Sequence, residues 1–434
     1  MKKITAISTL CFLLNILPSL AQTKVYVCDG YDVEGISISH PTDVTFSADG
    51  KTVTVGDESF DIADIDSITM TEPLFTAVTV KYNGTTATVD IPSALSGLVK
   101  ASVSGAHVTL TSTASEKNGG ELLYILEGTS TNGSFTLNGS YKLRLHLNGV
   151  SLTSTKGAAI DIECGKRIEV KLMKGTTNTL VDCSGGSQKA AFYVKGHLEI
   201  KGKGTLNITG KTKHALCAKE YLQLKSSTGT INILGATNDG IHCGEGDKTD
   251  PENSRFIMNG GTLNISGCGK DCIDADDYGS MYINGGTTTL NMTQSDAAGL
   301  CCDSVIYMTA GTIKLNISGS NCQGIRNGYD AYFDGGSISG TVSGDGSKGF
   351  KAKKTTSTTG TVLNGGNAHF RGTDVTLSLT GGTSSDQTKC GGIRIDKDLY
   401  QTAGTITITK TNSAAVGLEV KGTDTHTGGT RSIQ

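Results

Sequence analysis

Along most of the chain, apolar and polar residues alternate over short runs, and glycine, asparagine, serine and threonine fill the gaps between them. Residues 256–258, 262–265 and 272–275 show the pattern within one unit. Alternation with period two places every second side chain on one face, so it predicts short half-buried strands. The units repeat. Gly260-Gly261-Thr262, Gly285-Gly286-Thr287, Ala310-Gly311-Thr312 and Gly335-Gly336-Ser337 follow one another at 25-residue steps, and Gly204, Gly229, Gly372 and Gly404 extend the series across insertions. An apolar ladder runs beside them: Ile160, Phe192, Leu216, Ile241, Ile273, Leu300, Ile325, Phe350, Ile393 and Leu418. Two residues after each comes Ile162, Val194, Ala218, Cys243, Ala275, Cys302, Asn327, Ala352, Ile395 or Val420. Only Asn327 breaks this second ladder, and a bond to the backbone of adjacent coils would accommodate it.

A period near 25 with internal alternation is the signature of a β-solenoid, in which a lone coil cannot cover its apolar face but stacked coils bury a continuous core. The expected fold is all-β: a right-handed parallel β-helix, a three-sheet solenoid of about ten coils of ~25 residues each, with a small N-terminal β module. The coils run over residues 141–422 of a domain spanning 141–434. Residues 73–140 are strand-rich and read as a β capping layer leading into the solenoid. Residues 22–72 have a different texture and read as the separate module. The segments 246–254 and 354–366 project as loops.

Composition agrees and narrows the classes. The 434 residues include 58 glycines, five prolines and no tryptophan. Glycine without a three-residue period excludes collagen, and modest charge excludes a disordered chain. Residues 1–21 read as a signal peptide: Lys2 and Lys3, a short apolar run, then Ser19-Leu20-Ala21 before the cut. The apolar run is too short to span a bilayer and no other follows, so no transmembrane segment is expected. The mature protein is expected to be secreted, periplasmic or at the cell surface. Net charge is −3, so no global basic field exists to attract nucleic acid. Eleven cysteines lie beyond the signal peptide, most of them in non-matching rows, and most read as small wall residues; Cys268 with Cys272 and Cys301-Cys302 lack the spacing of a zinc knuckle.

In a solenoid, residues at one offset stack into a row. The outward row between the ladders reads Asp161, Tyr193, Cys217, His242, Asp274, Cys301, Arg326, Lys351, Arg394 and Glu419. Asn238, Asp239, Glu245, Asp271, Asp274, Asp276, Asp277 and Asp303 gather over neighbouring coils, and a basic stretch follows them. Stacked carboxylates repel, and a calcium ion, which takes six to eight oxygens, would relieve that; a solvated acidic face is the other reading. Tyr282, Tyr307 and Tyr332 recur at 25-residue steps, with Tyr400 later, and face outward. Their rings either stack on sugar faces or on one another. Arg326, Lys351 and Arg394 are placed to hold uronate carboxylates. The seven histidines from His107 onward are scattered singly and read as wall or turn residues.

The runs Tyr124-Ile125-Leu126-Glu127-Gly128-Thr129, Leu147-Asn148-Gly149-Val150, Gly157-Ala158-Ala159-Ile160, Asn238-Asp239-Gly240-Ile241 and Cys272-Ile273-Asp274-Ala275-Asp276, with the Gly-Gly-Thr turns, resemble a known family. It is the bacterial exported carbohydrate-binding domain family with a pectate-lyase-like β-helix and bound calcium. The resemblance covers about residues 76–422. It implies a non-catalytic protein that binds plant cell-wall polysaccharide, as acidic pectic chains or cellulose, with calcium as cofactor. The alternatives are a calcium-dependent pectate-type lyase, with Asp239 and Asp271 near Arg326 or Lys351, and an adhesive or structural solenoid at the cell surface.

Overall fold

The computed structural model describes residues 23–29, 32–62, 65, 67–244, 251–275, 278–353, 355–356 and 362–434. The signal peptide expected over residues 1–21 lies outside them. The chain divides into two compact units, Met1–Thr76 and Ala77–Gln434. In the first, Thr23–Asp29 pairs antiparallel with Asp32–Ile38 and Ser67–Thr69, and Val44–Phe46, Thr52–Val55 and Glu58–Asp61 form a second antiparallel sheet. Alternate residues Val25, Val27, Val53 and Val55 bury against Ile38 and Ile65 as its core.

The second unit is a stack of coils with parallel sheets. Each ladder residue is the register partner of the next, from Ile160 through Phe192, Leu216 and Ile241 to Leu418, and the row from Ile162 to Val420 pairs likewise. These strands belong to a 13-stranded sheet. The other strands of each coil join a 24-stranded sheet, in which Arg255–Met258 is followed by Ser280–Ile283 and Thr262–Ile265 by Thr287–Met292. Inward residues of both sheets form one continuous apolar core, with Phe333 stacked on Phe370 at 4.8 Å and Phe350 edge-on to Phe333 at 5.0 Å.

Parallel pairing starts earlier than the boundary at 141. Ala106–Ser112 already runs parallel to Gly133–Asn138, and Ala77–Asn83 to Leu122–Ser130. Val99–Ser104 pairs antiparallel at the end of the 13-stranded sheet, and Thr86–Asp90 does so beside Ala77–Asn83. Asn327 is also different from expectation. Its amide donates to Tyr329 O at 2.8 Å, two residues on, and not to a neighbouring coil. None of the eleven cysteines among the described residues is in a disulfide, and ten of them are buried. No helix among the described residues is long and apolar enough to cross a membrane.

The Gly-Gly-Thr repeat has a steric cause. Gly261, Gly286, Gly311 and Gly336 adopt φ of 83°, 77°, 87° and 79° at one corner of successive coils. A Cβ on Gly286 would lie 2.6 Å from Gly261 O and 2.7 Å from Met258 Cε. Both the backbone conformation and the spacing between coils therefore require glycine. Gly286→Ala is expected to lower the unfolding free energy by about 1–3 kcal/mol, measured by urea denaturation.

Candidate functional site

The row between the ladders is in register over its whole length, from Asp161 through His242, Asp274, Cys301, Arg326, Lys351 and Arg394 to Glu419. It is not uniformly open to solvent. Tyr193, Cys217 and Cys301 point off the core yet are buried, and Tyr193 packs with Cys217 and Ala190 in a small apolar cluster of their own. Chemistry along the row changes from imidazole and carboxylate to thiol and then to cations.

Two residues before the ladder, His214, Asp239 and Asp271 occupy the same offset on consecutive coils. Asp239 and Asp271 are buried, and their carboxylates bridge coils. Asp271 N–H donates to Asp239 Oδ1 at 3.2 Å, and Ala298 N–H to Asp271 Oδ1 at 2.6 Å. Asn238 donates its amide to Asp239 Oδ2 at 3.2 Å. The imidazoles of His214 and His242 stack at 4.5 Å, with ring planes 18° apart. His214 Nδ1 lies 3.2 Å and His242 Nδ1 3.6 Å from Asp239 Oδ2, and His242 Nδ1 lies 3.3 Å from Asp274 Oδ2.

Burial opposes the charge of Asp239, yet His214 and His242 beside it hold its carboxyl well below the usual range. Burial pushes the His214 imidazole below its ordinary value and, with the charges of Asp239 and Asp274, pushes Asp271 up. Neither ring nitrogen of His214, a fully buried residue, has a hydrogen-bond partner of good geometry. Each such orphan ordinarily costs about 1–3 kcal/mol. The histidines are thus not scattered singly, as the sequence suggested.

This donor set does not fit calcium. An oxygen shell of six to eight ligands is needed, whereas Asp239 faces imidazoles and Asp274 groups with Asp271 and the Cys301 thiol. Arg326 donates to that thiol at 2.6 Å. Asp303 is exposed and is not a member of either ligand group, while Glu245, Asp276 and Asp277 lie outside the described residues.

Further along, Arg326, Lys351 and Arg394 stack in register on successive coils. Arg394 reaches Asp396 at 3.3 Å and Glu419 at 3.7 Å. Lys351 has no carboxylate within ion-pair distance among the described residues; burial and the neighbouring Arg394 charge push its ammonium below the ordinary lysine value. Lys348, buried beside the stripe, is pushed down to about 8 by burial and Arg394. Its Nζ donates to Gly346 O at 2.9 Å and to Lys389 O. Lys348, Arg394, Gln387, Lys389 and Glu419 line a cavity of about 420 Å³.

A second charged row shows what a self-satisfied stripe looks like. Arg144, Glu169 and Glu199 are also in register. There Glu169 takes Arg144 at 3.0 Å, Arg167 at 3.2 Å and Lys201 at 3.2 Å, and Glu199 takes Lys225 at 2.9 Å. Each carboxylate of that row thus meets at least one cation. In the Arg326–Lys351–Arg394 stripe three cations are adjacent and the central Lys351 has no such counter-charge among the described residues, a repulsion that an anionic ligand would relieve.

Tyr282, Tyr307 and Tyr332 also stack in register, and His369 and Tyr400 continue the column. Ring centroids are 5.4, 4.9, 4.8 and 4.8 Å apart with planes within 12°. The Arg255 guanidinium lies 5.6 Å from the Tyr282 ring centre and that of Arg371 5.0 Å from the Tyr332 centre. Stacking therefore covers the ring faces along the column. Of the two arrangements open from the sequence, the rings adopt the one in which they stack on one another. The sequence reading missed His214, His242, His369 and Lys348. The ladder offset shared by His214, Asp239, Asp271 and Lys348 was the available signal.

Residues 104–434 match the model of the family described as carbohydrate-binding domain-containing proteins. That stretch holds most of the parallel coils and every row just described, and the chain belongs to this family. No curated protein matches the sequence. A solved structure, that of the polysaccharide lyase-like protein from C. thermocellum in a gadolinium derivative, is similar at 18% identity with a TM-score of 0.39. The likeness covers 79% of this chain and 99% of that one, and is too distant to bear on the site.

Proposed function

We propose that this protein is exported and binds an acidic polysaccharide, of the polyuronate type found in plant cell walls, without cleaving it. The observation that carries this reading is the in-register stripe of Arg326, Lys351 and Arg394, three adjacent cations of which the central Lys351 has no ion-pair partner among the described residues. Successive coils are spaced about 4.8 Å apart, so the stripe offers one cation per coil to an extended chain of carboxylates. Arginine does so bidentately. The cavity beside Lys348 and Arg394 gives that chain a concave edge. Binding is not routed through calcium, since the described acidic groups are engaged by backbone N–H, imidazole and thiol neighbours. Nor does Lys348 act as the base of a lyase here: its ammonium is tethered to two backbone carbonyls.

Isothermal titration against polygalacturonate, xylan and cellulose tests the reading. Saturable, salt-sensitive binding to polygalacturonate is expected, with no rise in unsaturated-uronate absorbance. Equal binding to neutral glycans would overturn it.

A pH dependence follows from Lys348, whose value of about 8 lies below its ordinary 10.5. Its charge is present below pH about 8 and lost above, while uronate carboxylates stay ionised throughout. Affinity for polygalacturonate is therefore expected to fall as pH rises through about 8. Stability moves the other way. Between about 8 and 10.5 the unfolded chain holds the extra proton, so this group makes folding more favourable as pH rises through that window. Titrations at a series of pH values and matched ionic strength read the first effect, and urea melts read the second.

A further inference from the structure

We propose that His214, Asp239 and His242 form a binding site for a transition-metal ion of the zinc class. Their ligand atoms come from two consecutive coils: His214 from one, Asp239 and His242 from the next. The separations are those of a tetrahedral shell. Zinc bonds to nitrogen and oxygen of about 2.0–2.1 Å place tetrahedral ligands roughly 3.3 Å from one another. His214 Nδ1 and Asp239 Oδ2 are 3.2 Å apart, and His242 Nδ1 and Asp239 Oδ2 3.6 Å. Asp274 Oδ2, 3.3 Å from His242 Nδ1, supplies a further carboxylate beside the group.

Three features separate this from an ion pair or a hydrogen-bonded cluster. His214 is fully buried with both ring nitrogens lacking a hydrogen-bond partner, although Nδ1 sits beside a carboxylate oxygen. Two imidazoles stacked at 4.5 Å repel if both are protonated, whereas a metal uses both as neutral donors. Asp239 is already oriented from behind, since its Oδ1 accepts the Asp271 N–H and Asn238 donates to its Oδ2. Such outer contacts fix a metal ligand in place. The mixed nitrogen and oxygen set suits zinc, and neutral imidazole is a poor partner for calcium. His242 keeps its side chain 13% exposed, which gives an ion a way in.

The test uses the untagged full chain, loaded with Zn²⁺ or Ca²⁺, passed over a desalting column and analysed for metal, with Co²⁺ as a spectroscopic stand-in. One Zn²⁺ retained per chain, visible Co²⁺ bands of tetrahedral intensity and no competition from Ca²⁺ are expected. His242→Asn, at an outward-facing position off the apolar core, is expected to weaken Zn²⁺ at least about 100-fold, since losing even an outer-shell partner costs 10–100-fold. Cys301→Ser is expected to leave Zn²⁺ binding unchanged. Failure of the wild-type chain to retain Zn²⁺, equal retention by His242→Asn, or loss on Cys301→Ser would each overturn the assignment. None of these readouts depends on glycan binding, so this site and the proposed polysaccharide stripe stand or fall separately.

Discussion

Polygalacturonate affinity is expected to fall by a factor of about 100 or more when Lys351 and Arg394 are both replaced by alanine. A charge-assisted contact contributes about 1.5–3 kcal/mol, so losing two removes about 3–6 kcal/mol, and each 1.4 kcal/mol is a factor of ten. The two cations are adjacent in register, which means that consecutive carboxylates of one extended chain lose their partners together. Folding is not expected to suffer to match. Lys351 has no ion-pair partner among the described residues, and its removal relieves repulsion from Arg394 and Arg326. Arg394 gives up only the contacts to Asp396 and Glu419. Isothermal titration reads the affinity and urea denaturation the stability. The Arg144→Ala variant is the control, since its row is internally paired; it is expected to leave affinity unchanged. If the double variant binds as tightly as the parent, the cation stripe is not the binding surface.

Phe333→Ala is expected to lower the unfolding free energy by about 3–5 kcal/mol, the range for truncating a buried aromatic residue. Phe333 is fully buried, stacks on Phe370 at 4.8 Å and meets Phe350 edge-on at 5.0 Å. Its register partners are Met308 and Phe370, so the void opens between three coils at once. In a stacked array, stability is close to a sum of unit and nearest-neighbour terms, so a weakened interface uncouples the coils on either side. The urea transition is therefore expected to broaden or split in addition to moving to lower denaturant. A single transition at the parental midpoint would contradict this packing.

Much of this architecture was legible because parallel in-register stacking writes spatial neighbours into the sequence at a fixed offset. The ladder from Ile160 to Leu418, the cation stripe and the tyrosine column could each be read by counting. What counting missed has physical reasons. His214 and His242 sit at different offsets, and they meet only because adjacent coils bring two rows together beside Asp239. His369 joins the tyrosine column after a longer interval than the 25-residue step, so it looked unrelated to Tyr332. The first coils, between residues 77 and 140, lack the Gly-Gly-Thr corner and so escaped the repeat, although their backbones pair in the same parallel sense. Asn327 satisfied its amide within two residues, a local choice that no row comparison reveals. Ring faces in the column proved to be covered because adjacent coils lie at the separation that aromatic stacking favours.

The aromatic column also gives the molecule an optical gauge. The sequence holds no tryptophan, so tyrosine dominates its near-ultraviolet spectrum. Tyr282, Tyr307 and Tyr332 lie stacked and nearly parallel at 5.4 and 4.9 Å, close enough for their electronic transitions to couple as excitons. Circular dichroism in that band thus registers the pitch of the winding on this flank, and any ligand that stretches or shears it changes the signal without a label.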